Sequence, residues 1–193
     1  MGQVKGSLGM QRSKPEQDHT SEHLDSYLHS VTFDPIGRVR SPYTERFGTP
    51  RQPVIEAQVK GEGALEGSIE LTPGKNLESA LEGLEGFDRI WVLYVLHLND
   101  GFSLQVRSPR GPEKKVGLFA TRAPHRPSPI GLSCLELLRI EKNTLYVRGL
   151  DILDGSPVLD IKPYIPYIDS FPDAQVGWLT GLPPEEPDHF TPK

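Results

Sequence analysis

One cysteine, Cys134, in 193 residues leaves no partner for an internal disulfide, and no Cys and His residues fall at finger-like spacing for a structural zinc. The chain therefore needs no oxidising compartment. Long apolar runs are also missing. The longest, Ile90 to Leu96, has seven residues, against the ~18 or more of a membrane-spanning helix. Met1 to Lys14 lacks the apolar heart of a secretory signal, so the expectation is a cytoplasmic protein with no membrane partner. There is no G-x-G-x-x-G after a strand, no G-x-x-x-x-G-K-[ST] and no G-x-S-x-G, which removes the dinucleotide, P-loop and serine-hydrolase readings. No Asp spacing matches an EF-hand loop, and no metal is expected.

Glycine and proline are abundant, nineteen of each. That density of helix breakers excludes a long-helix bundle or coiled coil and favours short strands and turns. Apolar residues make up 36% of the chain and charged residues 24%, enough for one core of ordinary size with some length left unpacked. Residues 1–32 are polar and read as a flexible extension, 33–180 as the packed domain, and 181–193 as a tail whose prolines and acids suit neither ladder nor helix.

Within the domain, Ile36 to Arg40, Val54 to Val59, Ser68 to Leu71, Asp88 to His97, Ser103 to Arg107, Val116 to Ala120 and Thr144 to Leu150 fit strands. Gly131 to Ile140 fits a strand or a helix. One helix is clearer: Asn76 as its cap, then Leu77, Ala80, Leu81 and Leu84 as an apolar stripe ended by Gly83 or Gly86. Many strands with frequent turns predict a mainly β fold, a single closed or nearly closed β-barrel with one or two short helices.

The net charge of -5 hides segregation along the chain. Arg38 to Lys60 has five basic and two acidic residues, Ser103 to Arg126 six and one, and Gly61 to Ile90 two and seven. If the two basic segments share a face, the protein has a polyanion-binding side. Arg107, Arg110, Lys114, Lys115 and Arg126 are its candidate phosphate contacts.

Three stretches have loop compositions that suit a site. In Ile36-Gly-Arg-Val-Arg-Ser-Pro-Tyr43, Pro42 stops the ladder and holds Ser41 extended. Between Phe119 and Ser133, three prolines within six residues stiffen a loop from which Arg122, His125 and Arg126 are expected to project. In Gly149 to Tyr164, Asp151, Asp154 and Asp160 sit among apolar residues around the turn Asp154-Gly155-Ser156-Pro157, so a partly buried carboxylate needs a partner, with Lys162 the candidate.

Arg40-Ser-Pro-Tyr43, Arg51-Gln-Pro53, Gly86-Phe-Asp-Arg-Ile-Trp91, Gly117-Leu-Phe-Ala-Thr-Arg122, Arg126-Pro-Ser-Pro-Ile-Gly-Leu-Ser133 and Asp154-Gly-Ser-Pro-Val-Leu-Asp-Ile-Lys-Pro-Tyr164 together resemble the signature blocks of the TrmO (YaeB, TsaA-like) family, in the family's order. The resemblance implies a homodimeric β-barrel methyltransferase that uses S-adenosyl-L-methionine. It implies as substrate a tRNA carrying N6-threonylcarbamoyladenosine next to the anticodon, methylated at N6. Carried onto matching positions, the cofactor contacts would be Ser41, Pro42, Tyr43, Asp88, Arg89, Arg122, Leu132, Asp154, Gly155, Ser156 and Pro157. It also implies that the proline loop, Arg122 to Pro129, lies near the second subunit. The family's bacterial members commonly continue into a small C-terminal domain, a pattern from which this chain departs after Trp178.

Methyl transfer from a sulfonium asks mainly for placement of the acceptor in a water-poor pocket. Tyr43, His125 and Asp154 are the candidates for a proton acceptor, and the sequence assigns none of them. The rival reading is a non-catalytic barrel holding single-stranded RNA by its basic segments and by stacking on Tyr43, Phe119 and Trp91.

Overall fold

Period-two alternation lets a strand bury one face, and the computed structural model of the chain carries that alternation into a closed barrel. Residues 31–45, 49, 66–107 and 114–182 are described. The expected extension up to Ser30, the strand over Val54 to Val59 and the tail from residue 183 lie outside them. By internal contacts the chain divides into Met1–Phe33 and Asp34–Lys193. Only residues 31–33 of the first unit are described, without helix or strand.

In the second unit the barrel runs β1 (Gly37–Arg40), β2 (Glu66–Leu71), β7 (Thr144–Arg148), β6 (Ile130–Glu141), β3 (Arg89–Val95) and β8 (Pro157–Pro163), and β8 returns to β1. Every pairing is antiparallel. A two-stranded ribbon, β4 (Gln105–Val106) with β5 (Val116–Gly117), stands outside it. One α-helical turn, α1 (Pro166–Asp169), follows β8.

Inward positions alternate as the strands require. Val39, Ile69, Ile90, Val92, Leu135, Leu145, Val147 and Val158 are fully buried. Each contributes about 1.5–3 kcal/mol of burial free energy. The two strands that flank β3, β6 and β8, bend through bulges. In β6, Leu137 faces Val147 and Arg139 faces Tyr146, so Leu138 is the extra residue, and Leu137 and Ile140 both pack on the core. In β8, Asp160 faces Leu93 and Val158 faces Tyr94. Leu159 is the extra residue there, and Val158 and Ile161 both turn inward.

The structure settles one open element and departs from the sequence expectations in four others. Gly131 to Ile140 resolves to strand, the twelve-residue β6. Pro157–Pro163, not among the expected strands, is a barrel strand whose alternation the bulge hides. Leu77–Leu81 is a 3-10 turn, and Asn76 before it takes φ 51° and makes no side-chain cap. Only Leu81 of that stripe is buried, and so tight a turn suits the two glycines that follow. Ser103 to Arg107 and Val116 to Ala120 pair over two residues each, because Leu118–Ala120 winds into another 3-10 turn.

Gly131 faces inward under the Tyr94 ring, where a Cβ would overlap the ring carbons. Gly131→Ala is therefore expected to lower stability by about 1–3 kcal/mol through overpacking. Gly86→Ala, where a Cβ meets no atom within 4 Å, should stay close to wild type. Urea unfolding of the two variants checks this, and equal midpoints would contradict the packing.

Candidate functional site

The ladder of β1 ends where Pro42 removes an N–H donor, and the chain then docks on the turn before β8. Ser41 N–H donates to Asp154 Oδ1 at 3.0 Å, and Tyr43 N–H to Ser41 Oγ at 3.1 Å. Asp154 N–H donates to Tyr43 O at 2.8 Å, Gly155 N–H to Val39 O at 2.9 Å and Val39 N–H to Ser156 O at 3.0 Å. Two segments 113 residues apart at Ser41 and Asp154 are thus joined by main-chain bonds. Gly155 has φ 74°, a left-handed conformation that glycine adopts without strain. A Cβ on it would meet nothing within 4 Å, so the turn borders open space.

Side chains complete this end of the barrel. Arg40 NH1 lies 3.8 Å from Asp154 Oδ2, and its Nε donates to Glu70 Oε2 at 3.0 Å. Arg38 Nε meets the same Glu70 oxygen at 2.9 Å. The hydrogen bond from Arg38, helped by Arg40, holds the Glu70 carboxyl below the usual glutamate range. The pairing is thus complete at neutral pH and is lost as acid protonates Glu70. His97, just past β3, places Nδ1 3.3 Å from the buried Ser156 Oγ. Deeper in, Ser133 Oγ donates to Asp151 Oδ1 at 2.6 Å and lies 3.3 Å from Tyr94 Oη. Burial, reinforced by Asp151, pushes the Tyr94 phenol well above its ordinary range, so it keeps its proton at neutral pH.

The proline loop packs beside this end. Leu96 N–H donates to Pro129 O at 2.8 Å, Asn99 Nδ2 to Pro124 O at 3.2 Å and Trp178 Nε1 to Ala120 O at 2.8 Å. Arg122 stands exposed at its start. Arg126 does not project as expected. Its NH1 turns back to Thr121 O at 3.0 Å and Ala123 O at 3.4 Å, because the proline-fixed backbone leaves those carbonyls without ladder partners.

The structure brings some of the sequence-selected residues together and leaves others apart. Ser41, Pro42 and Tyr43 meet Asp154, Gly155, Ser156 and Pro157, although Tyr43 is only 1% exposed and its ring belongs to the core. Leu132 lies on the outer face of β6 opposite Leu93, 58% exposed. Asp88 and Arg89 sit elsewhere. Arg89 opens β3 beside Glu136, and its carbonyl accepts Tyr164 N–H. The seven residues of β3 separate it from His97 by roughly 20 Å of strand. Arg107, Lys114 and Lys115 are exposed, and Arg110 lies outside the described residues. Lys162 pairs with Asp160 at 2.7 Å on the surface and reaches no buried carboxylate.

Sequence reasoning missed the roles of His97, Ser133 and Tyr94. A polar His closing the longest apolar run, and a Ser at an inward strand position, were the available signals. Among the described residues no His, Cys, Asp and Glu group could hold a metal ion, and no helix is long and apolar enough to cross a membrane.

Comparison with known proteins adds a frame. The family model described as "tRNA-methyltransferase O N-terminal domain" matches residues 38–170. The chain is 45% identical over 159 residues, 81% of its length and 65% of the relative's, to the Pseudomonas aeruginosa protein named "Putative S-adenosylmethionine-dependent methyltransferase RcsF". It is 39% identical over 166 residues, 82% of its length and 68% of the relative's, to the Escherichia coli tRNA (adenine(37)-N6)-methyltransferase. The crystal structure of TrmO from Pseudomonas aeruginosa superposes with a TM-score of 0.61 at 40% identity, covering 77% of this chain and 62% of that one. The chain thus spans about two thirds of the length of these relatives.

Asp154→Ala leaves the Ser41 N–H without its acceptor, a loss of about 1–3 kcal/mol when such a group is buried and less at this half-open site. Amide hydrogen exchange should show Ser41 and Tyr43 exchanging faster in the variant while Ile90 and Val92 in β3 keep their protection. Unchanged exchange at Ser41 would contradict the docking described.

Proposed function

The chain belongs to the tRNA-methyltransferase O family, and from that premise we propose that its barrel transfers a methyl group from S-adenosyl-L-methionine to N6 of the adenine next to the anticodon of tRNA. The acceptor adenine in this reading already carries the N6-threonylcarbamoyl group. The observation that carries the proposal is the union of Ser41 to Tyr43 with Asp154 to Pro157 beside open space. Family resemblance alone would leave these two segments a hundred residues apart.

The residues suit the donor. Main-chain carbonyls of the two facing turns can accept from the adenine amino group and the ribose hydroxyls, and the Arg40 and Arg122 guanidiniums match an amino-acid carboxylate. S-adenosyl-L-methionine supplies, when bound, an electrophilic methyl on a sulfonium. The work left to this chain is positioning. Asp154 spends Oδ1 on Ser41 N–H, which makes it a holder of the turn. Lys114 and Lys115, exposed on the ribbon side, are the proposed tRNA phosphate contacts, together with Arg107 and, through the loop it braces, Arg126.

The reading includes a homodimer working in the cytoplasm, where its tRNA substrate is. Support comes from the outer face of β3 and β6, where Leu93 pairs with Leu132 and Val95 with Ile130. Such an apolar row on a barrel exterior suits a second copy of the chain.

Titration with S-adenosyl-L-methionine should give saturable heat, and its absence would leave the RNA-binding barrel as the surviving alternative. Replacing Lys114 and Lys115 together by Ala should weaken tRNA binding and reduce the salt slope by about 1–2, with cofactor heat unchanged. Arg122→Ala should instead slow methylation at saturating tRNA. Loss of cofactor binding in both variants alike would sink this division of roles. For the dimer, light scattering should give twice 21.5 kDa, and Ile130→Glu should return the mass of one chain. A monomeric wild-type protein at micromolar concentration would reject it.

A further inference from the structure

Large aromatic rings usually go inside, yet Phe119 is 78% exposed while its neighbour Leu118 is buried. Its backbone is fixed from both sides. Leu118 N–H donates to Leu104 O at 2.9 Å, Thr121 N–H to Leu118 O at 3.1 Å and Trp178 Nε1 to Ala120 O at 2.8 Å. The guanidinium of Arg126 lies 5.6 Å from the ring centroid, and the two carbonyl bonds from its NH1 hold it there. The ring is thus placed before any ligand arrives, which reduces the entropy lost on binding.

Its surroundings indicate the occupant. The segment Ser103 to Arg126 carries six basic residues and one acidic, and Lys114 and Lys115 stand exposed a few residues before the ring. Exposed Phe102 and Leu104 extend the apolar surface along the same stretch of chain. An aromatic face set among cations complements a polyanion with flat apolar rings, which is unpaired nucleic acid. The other two aromatic candidates are otherwise engaged. Tyr43 is buried, and Trp91 packs edge-on against Tyr164 at 5.6 Å.

We propose that Phe119, braced by Arg126, is a stacking platform for one unpaired RNA base, with Lys114 and Lys115 on the adjoining phosphates. This rests on the reading of the chain as an RNA-acting barrel but requires no methyl donor. The experiment measures binding of the full chain to a short RNA hairpin with an unpaired purine-containing loop, and to the same hairpin with abasic loop positions. Wild type should prefer the base-bearing hairpin by roughly 5- to 100-fold. Phe119→Ala should bind both hairpins alike, and Phe119→Trp should restore the preference. The proposal is overturned if Phe119→Ala keeps the preference, if it weakens both hairpins equally, or if light scattering shows that it halves the mass, which would make the ring a subunit contact. A base preference in wild type without any S-adenosyl-L-methionine heat would support the platform while removing the methyl-transfer reading.

Discussion

Closure of β1 onto β8 is the constraint on which the other features depend. Gly37 pairs with Val158 and Arg38 with Pro157, and the Val39 and Gly155 amides extend the seam past the strand ends. Each main-chain bond is worth only about 1 kcal/mol net, so the seam is driven mostly by the apolar residues it shuts inside. Once closed, the six strands expose no unpaired edge to another chain, and the two turns of the candidate site are brought together by the same bonds that close the barrel.

A closed barrel must also bend, and the bulges at Leu138 and Leu159 show how this chain does it. Each shifts the alternation by one residue. Apolar side chains on both sides of the bulge then reach the core, and Asp160 and Lys162 are left outside. Ser133, a polar residue admitted to the interior, is paired between Asp151 and Tyr94. An unpaired buried hydroxyl or carboxylate would cost more than that arrangement returns.

The exterior is divided by chemistry. Around β2 and β7, Arg148 spans Glu66 and Glu136, while Arg38 and Arg40 share Glu70. These exposed pairs contribute little stability but keep that side solvated. Where Leu93 and Val95 of β3 pair with Leu132 and Ile130 of β6 the outward residues are apolar, and the 119–129 loop that leads into β6 is stiff and basic. The exterior therefore carries paired charges along much of the barrel and a short apolar row where β3 meets the start of β6.

Much of this was legible in the chain itself. Strands β1, β2, β3 and β7 follow from local alternation and turn residues, and the Ser41-Pro42 and Asp154-Gly155 stops follow from what proline and glycine permit in the backbone. The absence of nucleotide-binding glycine motifs and the basic content of Ser103 to Arg126 were equally readable. Other features depended on contacts between distant residues. Strand β8 was masked by its bulge, and the 3-10 turn at Leu77–Leu81 depended on how Leu81 found the core. Arg126 looked like a projecting ligand until loop carbonyls claimed it, and Asp88 and Arg89 were separated from Ser41 by the run of β3. Local composition determined which residues could form strands, turns and charged loops, because those preferences act over a few bonds. Which of those residues meet was decided by barrel closure, because register and shear are set by the packing of all six strands at once.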